Sequence, residues 1–159
     1  MVFAKFLSAC VCVSLCRGAL ASDVPIVNPS FEADVTGNGT FPVLVPQGWT
    51  VLDPNGILDG GNDSTGVVNP TGTTFFPGGA PNGSNLGFIF LSDQIEGGPV
   101  SLSQTLTTTL QANTHYTLNV QVGNIASGSG ANMQFYDLDG FPGYTVQLLA
   151  NGVVLATDV

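Results

Sequence analysis

Beyond residue 21 the chain contains no lysine, no arginine and no cysteine. Lys5, Arg17, Cys10, Cys12 and Cys16 all precede that point, while the eleven acids run from Asp23 to Asp158. The formal charge of −9 becomes −11 once Lys5 and Arg17 are set aside. A fold built from such material can use neither disulfides nor Lys/Arg ion pairs. It must stand on apolar burial and hydrogen bonds. Every carboxylate it buries needs a backbone N–H, water or a bound cation.

The same gap narrows function. Nucleic-acid binding and anionic lipid surfaces both require Lys and Arg, so neither is an expected partner. Phosphoryl clamps, Schiff-base lysines and thiol nucleophiles are missing as well. Neutral molecules, metal cations and other proteins remain as partners.

Met1–Lys5 is a short positive start, Phe6–Cys16 an apolar run and Arg17–Ala21 a small-residue cleavage site. That is the pattern of a signal peptide, with an apolar run too short to span a bilayer. The expected product is secreted or at the cell surface, with residues 22–159 as a single domain. At that length roughly two-thirds of the unfolded surface can be buried.

The 3.6-residue period of an amphipathic helix is missing, and period-2 alternation takes its place. In His115–Val122, Tyr116, Leu118, Val120 and Val122 share one parity. Val100–Leu110 alternates similarly, and Leu86–Leu91 is apolar on both parities, as in a strand buried on both faces. Tyr144–Leu149 and Val153–Thr157 flank Asn151-Gly152, a strong hairpin signal. Val24–Val27, Phe41–Val45, Trp49–Leu52, Thr73–Phe76 and Asn132–Tyr136 are further strand candidates. Asp53–Gly66 and Asn124–Asn132 are loops by composition. The pattern predicts an all-β antiparallel sandwich.

Asn28-Pro29-Ser30-Phe31-Glu32, followed by Pro46-Gln47-Gly48-Trp49, resembles the opening of galactose-binding-like jelly-roll domains, carbohydrate-binding modules included. Later segments, such as Phe76-Pro77-Gly78-Gly79, Pro81–Asn85 and Pro142–Leu149, are similar to exported bacterial proteins of the PEP-CTERM type. The resemblance implies a β-sandwich with a non-catalytic surface role. Such domains usually close with further strands, whereas here Thr157-Asp158-Val159 follows directly on a hairpin. The expectation is therefore a sandwich missing its last strands.

The resemblance also implies a structural calcium ion, with Glu32 as its first carboxylate ligand. Asp53–Asp63 is oxygen-rich but lacks the register of an EF-hand, and reads as a polar loop. His115 lies on the outward parity of its strand, and no nucleophile elbow or paired-carboxylate signature accompanies it. The chain is therefore expected not to be an enzyme. For a glycan site, stacking aromatics and hydroxyl-binding polar groups are sought, and Phe76, Gln134, Tyr136 and Asp137 are the candidates. Trp49 reads as core. The function expected is a secreted module that binds neutral carbohydrate in surface attachment. The alternatives are a self-associating structural surface protein and an accessory domain of a secreted hydrolase.

Overall fold

The computed structural model describes residues 23–61, 63–92, 99–123, 125, 127–138 and 143–159. Residues 1–21, where a signal peptide is expected, lie outside the described residues. Among these residues there is no helix, and every strand pair is antiparallel. The elements are β1 (Thr50–Leu52), β2 (Ser64–Val68), β3 (Leu86–Phe90), β4 (Ser101–Ser103), β5 (Gly128–Ser129), β6 (Phe135–Tyr136), β7 (Val146–Ala150) and β8 (Val153–Asp158). They pair as four ribbons, β1–β4, β2–β3, β5–β6 and β7–β8.

The core lies around β2, every residue of which is buried. One edge pairs with β3 in the register Ser64↔Phe90 to Val68↔Leu86. Along the other edge runs the segment 39–44, which reaches β2 through a single bridge, Val43↔Gly66. Leu44 N donates to Thr65 O at 3.0 Å, Val67 N to Pro42 O at 3.3 Å, and Asn69 N to Thr40 O at 3.0 Å. Gly66 is required here. A Cβ at that position would run into the Pro42 carbonyl on one side and the Phe88 ring on the other. Val67, Val68, Phe75 and Val100 complete the buried apolar set.

Composition misassigns β2. Ser64-Thr65-Gly66 reads as the end of a loop, yet it is buried because strands flank it on both sides. The Thr65 hydroxyl is satisfied by Leu44 O at 3.2 Å. β5 likewise falls inside a stretch read as a loop. The Asn-Gly hairpin is present, with Asn151 and Gly152 both left-handed (φ 50° and 78°), as a type I′ turn demands. The strand expected over His115–Val122 has no paired partner among the described residues, and Leu118, Val120 and Val122 are 42%, 52% and 44% exposed. The alternation marks a face correctly, but nothing described covers that face.

The two sequence motifs at the N-terminus form one clasp. Asn28 Nδ2 donates to Asp34 Oδ2 (2.9 Å) and to Gln47 O (3.0 Å), and its Oδ1 accepts from Ala33 N (2.9 Å). Gln47 N donates to both Asp34 oxygens at 3.1 Å. Trp49 stacks on Phe31 with centroids 5.4 Å apart, and its Nε1 donates to Asn28 O at 3.1 Å. Phe31 in turn lies over Gly87 of β3, leaving no room for a Cβ there. The buried Asp34 is thus held by N–H groups alone, as a chain without Lys or Arg requires.

Candidate functional site

Two concavities flank Gln121-Val122. The larger, about 580 Å³, opens between residues 118–122 and the β7–β8 hairpin. Leu118, Val120, Val122 and Val146 give it apolar walls, and Asn119, Gln121, Tyr144 and Asp158 give it polar points. The smaller, about 240 Å³, continues past Val122 towards Phe76, Pro81 and Leu86. The two share Gln121 and Val122, and together make a trough of mixed lining, in which apolar side chains stand beside polar ones.

The position of Asp158 depends on a β-bulge. Ala150 pairs with Val153 and Leu149 with Val154, but Leu148 pairs with Ala156, so Leu155 is an extra residue in β8. The shift sets Asp158 opposite Val146, on the face that also carries Tyr144. Without the bulge Thr157 would stand there and Asp158 would point to the other face. The Tyr144 hydroxyl donates to Asp158 Oδ2 at 3.3 Å. Among the described residues, Asp158 is the only carboxylate lining either concavity.

Of the four residues expected to bind sugar, only Phe76 lines the trough, where it is half-buried. Tyr136 makes edge-to-face contacts with Phe41 (6.2 Å) and Phe75 (5.9 Å), so its ring is engaged inside the fold. Gln134 is exposed beside Asn132, and Asp137 Oδ1 accepts from Ser127 Oγ at 3.0 Å. The structure therefore does not assemble the four into one site. Nothing in the sequence marks Tyr144, Asp158, Gln121 and Val122 as residues of one site, because their meeting depends on the bulge and on the approach of two remote segments.

Glu32 lies outside the trough. Its Oε1 accepts from Ser84 N and Asn85 N, both at 2.7 Å, which locks the loop before β3 to the N-terminal turn. Asn85 donates through Nδ2 to Phe31 O (3.0 Å) and Asp34 O (2.9 Å), while its buried Oδ1 has no hydrogen-bond partner. Among the described residues no three His, Cys, Asp or Glu side chains converge on a point.

The acids of the 53–63 loop are occupied by their own backbone. Asp53 accepts from Ile57 N (2.8 Å) and Leu58 N (3.0 Å), and these bonds hold its carboxyl below the ordinary 3.8. Asp59 is lowered likewise, by Gly61 N (2.7 Å) and then Asp63 N (3.0 Å). Asp63 accepts from Ser92 N at 2.7 Å. The loop is stitched by these bonds, in agreement with its reading as a polar loop. His115 is exposed on the segment leading to the trough.

Comparison with known proteins gives this geometry a context. A family model described as HpiC1-like, HpiC1 cyclase, matches residues 22–159. Among solved structures, the chain is similar to a Stig cyclase, Fisc, from Fischerella sp. TAU, in complex with (3Z)-3-(1-methyl-2-pyrrolidinylidene)-3H-indole. Identity is 32%, the TM-score is 0.66, and 85% of this chain and 68% of that one are covered. It is also similar to a cyclase from Fischerella sp. TAU in complex with 4-(1H-indol-3-yl)butan-2-one, at 31% identity and TM-score 0.67, covering 87% and 70%. An apo cyclase from Fischerella sp. matches at 30% identity and TM-score 0.65, covering 85% of this chain and 68% of that one. A search of curated proteins gave no match.

These findings correct the sequence reading. The resemblance to galactose-binding-like and PEP-CTERM proteins is overturned by a family match across the whole stretch from residue 22 onwards. The motifs behind it, Asn28–Glu32 and Pro46–Trp49, build a clasp that holds the N-terminal turn against the fold. The expectation of a non-enzyme falls with it, since the matched family is one of cyclases. Neutral glycans and surface proteins give way as partners, because the similar structures hold indole-derived small molecules. Self-association and service to a hydrolase fall on the same findings. The physical error was to equate catalysis with a nucleophile or a paired acid and base.

Proposed function

The chain belongs to the HpiC1-like cyclase family, and we propose that it is a cyclase that closes a ring on an indole-derived small molecule held in the trough around Gln121-Val122. The observation that carries the reading is the agreement between a family match over residues 22–159 and a trough of molecular size, with apolar side chains on its walls, on the same chain.

Ring closure is an intramolecular event. It needs the two reacting ends of one molecule brought together, water kept away and developing charge stabilised. It needs no side-chain nucleophile, which suits a chain lacking Lys, Arg and Cys beyond residue 21. Leu118, Val120, Val122 and Val146 would hold the hydrocarbon part in a folded conformation. Phe76 and Tyr144 offer aromatic surface to the indole at the two ends of the trough. Asn119 and Gln121 supply hydrogen bonds that fix its orientation. The four ribbons would be parts of an antiparallel sandwich of jelly-roll type, and the protein would work after export, freed of residues 1–21.

The reading extends to a structural calcium ion beside Glu32. The fit rests on the unpartnered, buried Oδ1 of Asn85, the same residue whose amide binds the Glu32 carboxylate. Calcium takes oxygen ligands of these kinds, with backbone carbonyls and water to complete the set. The ion would supply rigidity, tying the 28–34 turn to the loop before β3. Melting with and without chelator tests this, and an unchanged transition removes the ion.

The function is tested with 4-(1H-indol-3-yl)butan-2-one as probe, titrated into residues 22–159 by calorimetry. Saturable binding is expected, together with its loss in Val122→Trp, which fills the point where the concavities meet. Incubation with an indole bearing an unsaturated side chain should give a product of unchanged mass and altered retention. Absence of both binding and turnover refutes the reading.

A further inference from the structure

We infer that the trough selects cationic ligands: an indole-derived molecule with a positively charged nitrogen, bound with its charge against Asp158 and its neighbouring surface against the Tyr144 ring. This rests on the reading of the trough as the ligand site, and adds the charge class of the ligand.

Three observations carry it. Among the described residues Asp158 is the only carboxylate on the walls of either concavity, and the bulge at Leu155 turns it onto the Tyr144 face of the hairpin. An aromatic ring beside a carboxylate, with Leu118, Val120, Val122 and Val146 on the same walls, is an arrangement that favours an organic cation through charge and ring quadrupole together. Next, no Lys or Arg exists between residues 22 and 159, so no side chain of that kind competes with a ligand for Asp158. In an ordinary protein an exposed Asp has basic neighbours that would blunt its pull. Finally, residues 22–159 carry ten further acids and no Lys or Arg to offset them. Their summed potential draws cations towards the surface and repels anions. Wall, partner and field all favour the same sign of ligand.

The test uses two probes of equal shape. One is an indole with a trimethylammonium-ethyl side chain, and the other is its uncharged tert-butyl isostere. Both are titrated into residues 22–159 at neutral pH, at low and at high salt. The cationic probe should bind on the order of tenfold more tightly at low salt, and only its affinity should fall as salt is raised. Asp158→Asn should bring the two affinities to within about twofold, while Asp23→Asn, which removes one charge far along the chain from the trough, should leave most of the ratio standing. Matching circular dichroism and melting of Asp158→Asn and the parent keep the comparison interpretable. Equal, salt-insensitive affinities overturn the charge selection and leave the indole trough intact. A preference that survives Asp158→Asn overturns the role of Asp158. Failure of both probes to bind overturns the trough reading and this inference with it.

Discussion

The clasp at the N-terminus and the trough at the C-terminus are built from opposite materials. In the clasp, Asn28, Asp34, Gln47, Trp49 and Asn85 each engage a remote stretch of chain through directed hydrogen bonds, and Asp34 and Asn85 are buried. Beside the trough, which β8 lines with Asp158, every residue of β8 is exposed, and Val153, Val154 and Leu155 are 64%, 46% and 54% exposed. One region spends its polar groups on itself. The other keeps apolar surface and a single carboxylate available. The contrast teaches that the recognisable motifs of this chain are structural, while the surface suited to a ligand carries no motif.

The contrast breaks if the clasp does not dominate stability. Asp34→Ala should have the largest effect, about 3 kcal/mol, because it leaves Gln47 N and Asn28 Nδ2 without their ionised acceptor inside the fold. Urea unfolding monitored by Trp49 fluorescence would measure it, and a loss under 1 kcal/mol would show that the clasp is ornamental. Gly66→Ala should follow at about 2 kcal/mol, since the new methyl must displace the Pro42 carbonyl or the Phe88 ring. The same unfolding curve reads it, and an unshifted midpoint would mean that segment 39–44 can move away freely.

How much of this was legible in the sequence follows the same division. Asn28–Glu32 and Pro46–Trp49 were visible as motifs because a clasp needs specific side chains at fixed positions. The Asn151-Gly152 hairpin was visible because its turn demands left-handed backbone at two successive residues. The trough was hidden for two reasons. Its floor, residues 118–122, shows the clearest alternation in the chain, but alternation names a face and says nothing of what lies opposite. Its carboxylate depends on one extra residue, Leu155, and nothing in Val153–Asp158 announces which side of the ribbon Asp158 will occupy. β2 was hidden for a third reason. Ser64, Thr65 and Gly66 are loop-like in composition and are buried only because 39–44 and β3 flank them. Catalysis was misread because a ring closure leaves no nucleophile in the sequence to find.

The trough half supplies the converse test. Leu155→Thr exchanges an exposed apolar side chain for a β-branched polar one of good strand propensity. It should change stability by no more than about 0.5 kcal/mol. Thermal melting beside Asp34→Ala makes the comparison direct. A loss approaching that of the clasp variant would mean that β8 is covered in solution and that its exposed face is not free.

The smallest effect concerns pH, and it belongs to the clasped half. Asp53 and Asp59 each accept two backbone N–H bonds, and these lower both carboxyls below 3.8 in the folded chain. A group whose folded pKa is depressed stabilises the fold wherever the unfolded chain would already be ionised. Their contribution is therefore complete above pH 3.8 and is lost as pH falls through the lowered folded values. Because both side chains are open to solvent, the loss should be seen locally before it is seen globally. Amide exchange is the fitting measurement: Ile57, Leu58 and Gly61 should keep their protection from neutrality down to about pH 4 and lose it below. Asp53→Ala should expose Ile57 and Leu58 at neutral pH while leaving Gly61 protected, since Gly61 N is bonded to Asp59. If all three amides open together in that variant, the loop behaves as one unit, and the side-chain stitches seen in the clasped half do not act independently.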